Sequence, residues 1–579
     1  MSAIDSAGDC GLWLAPSTIP GAGLGMYAGK PFAPKDELLP EGGDLVVPLV
    51  DLEAVFGADW FLLWDDYTWN PNPLHMEHES MFDVHAASFG FGAAVNCILD
   101  LVNVDETSVQ NDNAGLHRGK DPGVGAFTSY HNRQAMATQP IEPGHELFAS
   151  YGLEWFRSRR HSLPPIPLLN DLKRGNDLLK KFATLQTHFS NPSMRNDLID
   201  TFLWNNPFQS TSRVLFGLPK THEELERAIN TSLKQVHRQH HTRSLEWLDE
   251  HGVCGDHLQP GNSTLPQAGR GAFARRRLTN GSVVAPLPLI HVESKRFVLK
   301  HTSPPIPPLS ASHQLLYNYC FGHKETTLLL CPYGTLTSLV NHNQTLANVQ
   351  VRWSTRQEGQ TSWFNYTPSQ VLERKSAGLS MELVAMRDID EGEEIFLDYG
   401  DDWEDTWQRH VQHWRPARNG HDYVSAPQLQ ESEMQIRTVF EQLQDPYPVN
   451  VELRCYRFFT KPRQLWMNIW QNKSLATYIH QEALEREPCD VLRRETDNAG
   501  NVWYQALLHE GDERVRMRKV PREAIVFVDR PHTSDMHLPN AFRHYMGIPD
   551  HLLPDKWRTI RPKERMPRRT QATSPVPVD

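Results

Sequence analysis

Three blocks of this 579-residue chain occur twice, in the same order. Pro20-Gly21-Ala22-Gly23-Leu24-Gly25-Met26-Tyr27-Ala28 matches the stretch around Ala268-Gly269-Arg270-Gly271-Ala272-Phe273-Ala274, with Gly25 and Gly271 lying 246 residues apart. Ala94-Val95-Asn96-Cys97 matches Leu339-Val340-Asn341-His342, and an Asn-Val pair follows both at the same distance, Asn103-Val104 and Asn348-Val349. Ile141 to Trp155, containing Glu146, Tyr151 and Gly152, matches Ile389 to Trp403 without a gap. Offsets of 245 to 248 residues in three separate blocks predict a domain duplication, with a period far longer than that of solenoid repeats.

The second copy is the more complete. Its Leu339-Val340 reads as a strand-like apolar pair leading into polar Asn341-His342, and Gly392 to Gly400 reads as an acidic turn followed by an alternating strand that ends on Tyr399. The glycine pair at 269 and 271 lets backbone approach a ligand closely. Taken in order, these pieces resemble the SET domain, a β-rich fold whose members methylate protein lysines with S-adenosylmethionine. The expected fold class is α+β and multidomain: two β-rich SET-like domains separated by a helical insert, followed by a small barrel-like β module.

The resemblance implies site residues. The cofactor is expected against Gly269, Arg270 and Gly271, and against Asn341 and His342, where an asparagine offers both donors and an acceptor. The family's tyrosine corresponds to Tyr399, whose hydroxyl would orient the incoming amine. The displacement at a sulfonium methyl needs alignment and exclusion of water, with no metal. Two departures are visible. The family pattern continues after Asn-His with a small residue, cysteine and proline, whereas this chain has Asn343-Gln344-Thr345-Leu346-Ala347-Asn348. The cysteine-rich zinc clusters that flank many SET domains are missing, so Trp403, Trp407 and the following helix are expected to close the channel. The first copy carries Cys97 in place of the histidine and is expected to be a degenerate scaffold or binding unit.

The expected domains are 1–165, degenerate SET-like; 166–250, helical insert; 251–410, SET; 411–480, helix and strand connector; 481–560, β module; and 561–579, a basic tail with Arg561, Lys563, Arg565, Arg568 and Arg569. In the insert, Leu178, Leu179, Phe182, Leu185 and Phe189 make one apolar stripe, and Leu225, Ile229, Leu233 and Val236 another. Asn191-Pro192 and Thr221 with Glu224 supply helix starts. In the connector, Ser432 to Leu443 fits a helix with Ile436, Val439, Phe440 and Leu443 inward, and Val449 to Phe459 alternates like a strand. Four short strands then run from Cys489 to Glu495, Val502 to Leu508, Arg514 to Val520 and Ala524 to Asp529, a pattern somewhat similar to a Tudor-type barrel. Trp503, Tyr504 and Phe527 fit its core better than an aromatic cage for methyl-lysine.

Composition sets the wider limits. With 39% apolar and 22% charged residues, most of the chain should be globular. No signal-peptide pattern opens it and no apolar run reaches membrane-spanning length, which points to an intracellular protein of nucleus or cytoplasm. Seven scattered cysteines without a Cys-x-x-Cys pair fit reduced thiols. His251, Cys254 and His257, and His237, His240 and His241, have ligand-like spacing without a full four-ligand zinc set. A net charge of -12 argues against direct nucleic-acid binding through the basic tail. Ten acidic residues from Asp388 to Asp405 would steer a basic substrate, a histone tail or another lysine-containing protein, toward the channel. The alternative function is a catalytically silent tandem scaffold that binds protein or chromatin partners.

Overall fold

The computed structural model describes residues 10–559 apart from 51–61, 70–83, 108, 160–165, 206–213, 215–216, 300–311, 357–358, 418–419, 457–485, 511–512 and 531–532. The fold is mixed, with helices beside several β-sheets. The largest sheet has eight strands, in the order Asn341–His342, Phe396–Leu397, Val349–Trp353, Leu379–Ala385, Val283–Glu293, Leu328–Pro332, Phe321–Gly322 and Met546–Gly547. Its central strand Val283–Glu293 is buried along nearly its whole length, as expected for a strand covered on both faces. Pro286 and Pro288 lack an N–H to donate, and pairing with Leu328–Pro332 accordingly starts only at Leu289. The strand-like pair Leu339-Val340 is instead the end of a short helical turn, Thr337–Leu339, and only Asn341–His342 pairs, in parallel, with Phe396–Leu397.

Residues 10–158 form smaller antiparallel pairs: Leu12–Pro16 with Leu24–Ala28, Val47–Val50 with Val84–Ala87, and Val104–Glu106 with Ala135–Ala137. Val253–Cys254 adds a third strand beside Leu12–Pro16. One apolar core runs through both halves, from Leu12 and Val47 to Leu289 and Met381. Two buried polar side chains tie the halves together. Gln314 exchanges hydrogen bonds with the backbone of Val50. Asp44 accepts from Phe91 N at 2.7 Å and Leu336 N at 3.1 Å.

The insert is helical, with helices Asp171–Gln186, Pro192–Asn205, His222–Asn230, Leu233–His240 and Leu245–His251. Asn191 caps the second through Ser193 N at 2.9 Å. Thr221 accepts from Glu224 N, but the Glu224 carboxylate reaches back to Lys220 N, so the capping box is only half formed. Of the first stripe, Leu179 and Phe182 are buried while Leu185 is exposed. The second stripe is split by Ser232, which caps a new helix and still leaves Leu225, Leu233 and Val236 buried.

The connector departs from expectation. A helix at Ala426–Ser432 ends, and Thr438 starts another of four residues through a capping box with Glu441, so 432–443 is not one helix. Ile436 is buried, its N–H held by Tyr504 Oη at 3.1 Å, but Phe440 and Leu443 are 73% and 78% exposed and Val439 is exposed too. The strand at Val451–Tyr456 joins Arg486–Thr496, Val502–Glu510, Glu513–Val520 and Ile525–Asp529 in a five-stranded antiparallel sheet; Phe459 lies outside the described residues. Tyr504 and Phe527 are core residues of that sheet. The chain then returns to the large sheet. Met546–Gly547 pairs with Phe321–Gly322, Trp557 is fully buried against Trp353 and Phe364, and the buried Arg543 guanidinium donates to the carbonyls of Gly125, His313, Met536 and Phe542. The basic residues from Arg561 onward lie outside the described residues.

The expectation of reduced thiols is overturned. Disulfides join Cys10 to Cys254, Cys320 to Cys331 and Cys455 to Cys489, leaving Cys97 free and buried. Strand pairing brings the partners together, Cys455 and Cys489 on adjacent strands and Cys331 on the strand that pairs with Phe321–Gly322, which Cys320 immediately precedes, and linear spacing does not reveal this. Cys254 is thereby removed from the ligand set with His251 and His257. The other histidine group is engaged within the fold, His237 with Gly217 O, His240 with Glu224 and His241 with Thr18. No helix of the described residues is long and apolar enough to cross a membrane.

Candidate functional site

Around the second copy's blocks, polar side chains interlock. The Glu394 carboxylate accepts from Ser263 Oγ at 2.7 Å, Thr264 N at 2.7 Å and Thr264 Oγ1 at 2.5 Å. A Cβ at Gly271 would collide with Glu394 Oε1, so that glycine is required by this carboxylate rather than by a ligand. Asn341 Nδ2 donates to Arg270 O at 2.8 Å, and Asn348 bridges Glu394 O and Phe396 N. His342 Nδ1 accepts from Tyr399 N at 2.9 Å, which places the ring proton on Nε2, facing Glu404 Oε2 at 2.8 Å. The Tyr399 hydroxyl donates to Val340 O. Burial raises its pKa well above that of free tyrosine, so the phenol stays neutral and cannot serve as a general base.

These segments border a cavity of about 400 Å³. Arg270, Asn341, His342 and Tyr399 line it, the helix Asp401–His413 adds Trp403 and Trp407, and Phe542 packs edge-on against both tryptophans. Phe127 and Thr128 close another side, and Phe127 lies against Gly269, whose φ of +70° and lack of Cβ permit the approach. Arg270 pairs with Asp112, and its Nη1 is buried without a hydrogen-bond partner, an expensive arrangement.

The family model of the SET domain matches residues 269–400. This stretch is a SET domain. Among solved structures, a candidate histone methyltransferase of Plasmodium falciparum aligns at 19% identity over 25% of this chain and 96% of its own, with a TM-score of 0.16. The polycomb repressive complex 2 of Chaetomium thermophilum aligns at 20% identity over 28% of this chain and 18% of its own, with a TM-score of 0.18. A polycomb complex bound to S-adenosylmethionine in an autoinhibited conformation aligns at 18% identity over 32% of this chain and 19% of its own, with a TM-score of 0.18. The alignment thus spans under a fifth of the polycomb chains' length. No curated protein matches the chain.

Within and beside the SET domain the structure gathers Arg270, Asn341, His342 and Tyr399 around one cavity, while Gly271 sits behind it. His342 has both ring nitrogens engaged within the protein, so it can offer a ligand only its ring edge and backbone. Asn341 has committed its amide nitrogen, which leaves its oxygen for a ligand. The acidic run is partly neutralised by Arg277 on Asp388 and Arg387 on Glu393, and Glu394 and Glu404 belong to the site's own hydrogen bonds. Asp401, Asp402 and Glu404 also sit in a helix's first turn, where acids are favoured by the dipole. Sequence reasoning missed Phe127, Asp112, Glu404 and Phe542. The first two come from a loop some 150 residues upstream and the last from the returning C-terminal segment, and no local pattern marks either; Glu404 was visible only as one acid in the run.

The first copy reproduces the bonds almost one for one. Glu146 accepts from Ser17 Oγ at 2.6 Å and from Thr18 N at 2.9 Å. Asn96 Nδ2 donates to Leu24 O at 2.9 Å, Asn103 bridges Glu146 O and Phe148 N, and the Tyr151 hydroxyl donates to Val95 O at 2.7 Å. Tyr151 N, however, meets Cys97 Sγ at 3.4 Å, and burial pushes that thiol up to about 12. The surroundings differ more. Ile19, Ile98 and Leu101 pack under the insert helices, and Asp100 accepts from Asn170 N and Leu172 N at the start of Asp171–Gln186. Their counterparts Leu265, Asn343 and Thr345 line the cavity of the SET domain.

Proposed function

We propose that this protein is an S-adenosylmethionine-dependent protein-lysine N-methyltransferase acting through its second SET unit, residues 251–410, with Tyr399 as the catalytic residue. The observation that carries this reading is the cavity of about 400 Å³ that Arg270 shares with the Asn-His and tyrosine segments. The donor set fits an amino-acid zwitterion: Arg270 for a carboxylate, the Asn341 oxygen for an ammonium. Trp403, Trp407 and Phe542 offer aromatic faces to a purine. S-adenosylmethionine, when bound, supplies an electrophilic methyl on a sulfonium. The chain's own part is to bind and orient. The Tyr399 donor is committed to Val340 O, so its oxygen lone pairs remain to accept from the N–H of an incoming lysine amine, and the apolar surroundings exclude water.

The recurrence of the Glu146 and Glu394 clusters supports two SET-like units, 1–165 and 251–410, and the insert 166–250 filling the first unit's cofactor position supports a silent role for that unit. The five-stranded sheet, whose last strand pairs with its first, supports a small barrel-like, Tudor-like module after the connector. The substrate is a basic peptide segment, a histone tail or another lysine-containing protein, and the protein acts in the nucleus or cytoplasm.

Labelled-methyl transfer from S-adenosylmethionine to a panel of histones and total cell protein tests the activity, and incorporation into lysine is expected. Calorimetric titration of Arg270→Met should show cofactor affinity weakened about tenfold or more, the loss of one charge-assisted bond. Absence of binding and of transfer by the wild type would refute the reading.

A further inference from the structure

The fold does not need the pair formed by His342 and Glu404. In the first unit, the same cluster is built with Cys97 at the histidine's place and, 248 residues before Glu404, Phe156. Cys97 and Phe156 pack in one apolar cluster, Tyr151 N still finds an acceptor in the cysteine sulfur, and the tyrosine hydroxyl still closes on the carbonyl of Val95. The histidine's task within the fold, to accept from the tyrosine N–H, is therefore met by cysteine. What the second unit adds is the other arm, Nε2 to Glu404, and both ends of that arm are exchanged together in the unit whose cofactor position is filled by helices.

The arm reaches the helix Asp401–His413, thirteen residues long against six for Leu153–Ser158 in the first unit. That helix brings Trp403, Trp407 and Gln408 to the cavity wall. The Trp403 ring lies 4.6 Å from the His342 ring, and Trp407 stacks 5.9 Å from Trp403. Glu404 is itself steadied by Gln408 Nε2 at 2.7 Å.

We infer that Glu404 is a positioning residue: by holding the Nε2–H of His342 it fixes the helix that carries the aromatic wall of the cofactor cavity. The inference rests on the methyltransferase reading above. It predicts that the two residues act as a unit, because loss of Glu404 leaves the Nε2–H of the buried His342 ring unmatched.

The test grafts the first unit's pair onto the second in the full-length chain. His342→Cys/Glu404→Phe should keep the wild-type melting temperature within a few degrees, since the first unit folds with this pair, while S-adenosylmethionine binds about tenfold or more weakly by calorimetry. Glu404→Gln, whose amide oxygen can still accept from Nε2–H, should bind within about threefold of wild type. If the double variant unfolds, Glu404→Leu carries the comparison, with the same weakening expected. Wild-type affinity in the double variant or in Glu404→Leu overturns the proposal, and so does a Glu404→Gln loss as large as that of Glu404→Leu. Wild-type protein that binds no cofactor would instead refute the methyltransferase reading.

Discussion

Two glutamates, Glu146 and Glu394, hold the same bonds in the two halves of the chain, so exchanging each for alanine separates what the cluster does for folding from what it does for function. Glu394 accepts from the Ser263 and Thr264 hydroxyls and from Thr264 N, and Glu146 does the same for Ser17 and Thr18. Both carboxylates are almost fully buried. Each alanine removes the acceptor of one backbone N–H and two hydroxyls, but Ser17, Thr18 and Ser263 are half-buried and Thr264 is exposed, so water takes over part of the bonding and the cost is about 1–3 kcal/mol. At about 2–4 °C per kcal/mol for a unit of this size, both variants should melt roughly 5 °C lower. Their activities should differ. The Ser263 to Leu265 loop leads into the cavity wall, whereas Ser17 to Ile19 lies under the insert helices. Methyl-transfer assays well below both melting points should therefore find kcat/KM reduced about tenfold or more in Glu394→Ala and near wild type in Glu146→Ala, the difference expected if only one cluster shapes a transition-state site. Equal losses of kcat/KM would refute the assignment of activity to the second unit. A large difference in melting temperature would refute the equivalence of the two clusters.

Tyr399→Phe should lower turnover by about a hundredfold with little change in cofactor affinity, or shift the number of methyl groups added, and Tyr151→Phe should do neither although it breaks the matching bond to Val95 O; steady-state kinetics with mass spectrometry of products checks both. Asp44 gives a pH dependence of stability. Burial, only partly offset by the donors Phe91 N and Leu336 N, raises its carboxyl from the ordinary 3.8 to about 7. A folded pKa above the unfolded one means stability is fully present below about pH 4 and lost as pH rises through 7. The loss, at 1.36 kcal/mol per unit over about three units, is roughly 4 kcal/mol. Melting temperatures at pH 5 and pH 8 should diverge in the wild type, and Asp44→Asn should reduce the divergence.

What the sequence disclosed and what it hid follow from the range of the interactions involved. The repeat, the glycine pair, Asn341-His342 and Tyr399 were legible because each belongs to a short block whose residue types are fixed by one another, as Gly271 is by Glu394. The strands of the five-stranded sheet were legible from alternation between turn-rich links. The helix expected from Ser432 to Leu443 failed because periodicity does not see caps: Thr438 and Glu441 start a new helix, and Tyr504, 68 residues away, holds Ile436 where the chain bends. The disulfides and the return of residues 533–559 to the large sheet were hidden for the same reason, since partners such as Cys10 and Cys254 meet only after the two halves have packed.

The repeated blocks expose the most informative gap. Sequence comparison of the copies showed that the first lacks the histidine and the acidic run, where Arg157, Arg159 and Arg160 follow instead, and suggested a degenerate unit from these two differences. The structure shows that the histidine is the smaller part of the difference, because Cys97 still accepts from Tyr151 N. The larger part is occupancy: Asp100 holds the start of Asp171–Gln186 in place, and Ile19, Ile98 and Leu101 sit under the insert, where the second copy has Thr345, Leu265, Asn343 and Leu346. Two apolar side chains buried there, Ile98 and Leu101, contribute about 1.5–3 kcal/mol each to holding the helices down, with Ile19 half-buried beside them. A ligand would have to displace that packing before making a single contact. Restoring histidine at position 97 alone should therefore leave the first unit unable to bind S-adenosylmethionine, and a second binding event in calorimetry of Cys97→His would show that the missing ring, rather than the covering helices, had closed the site.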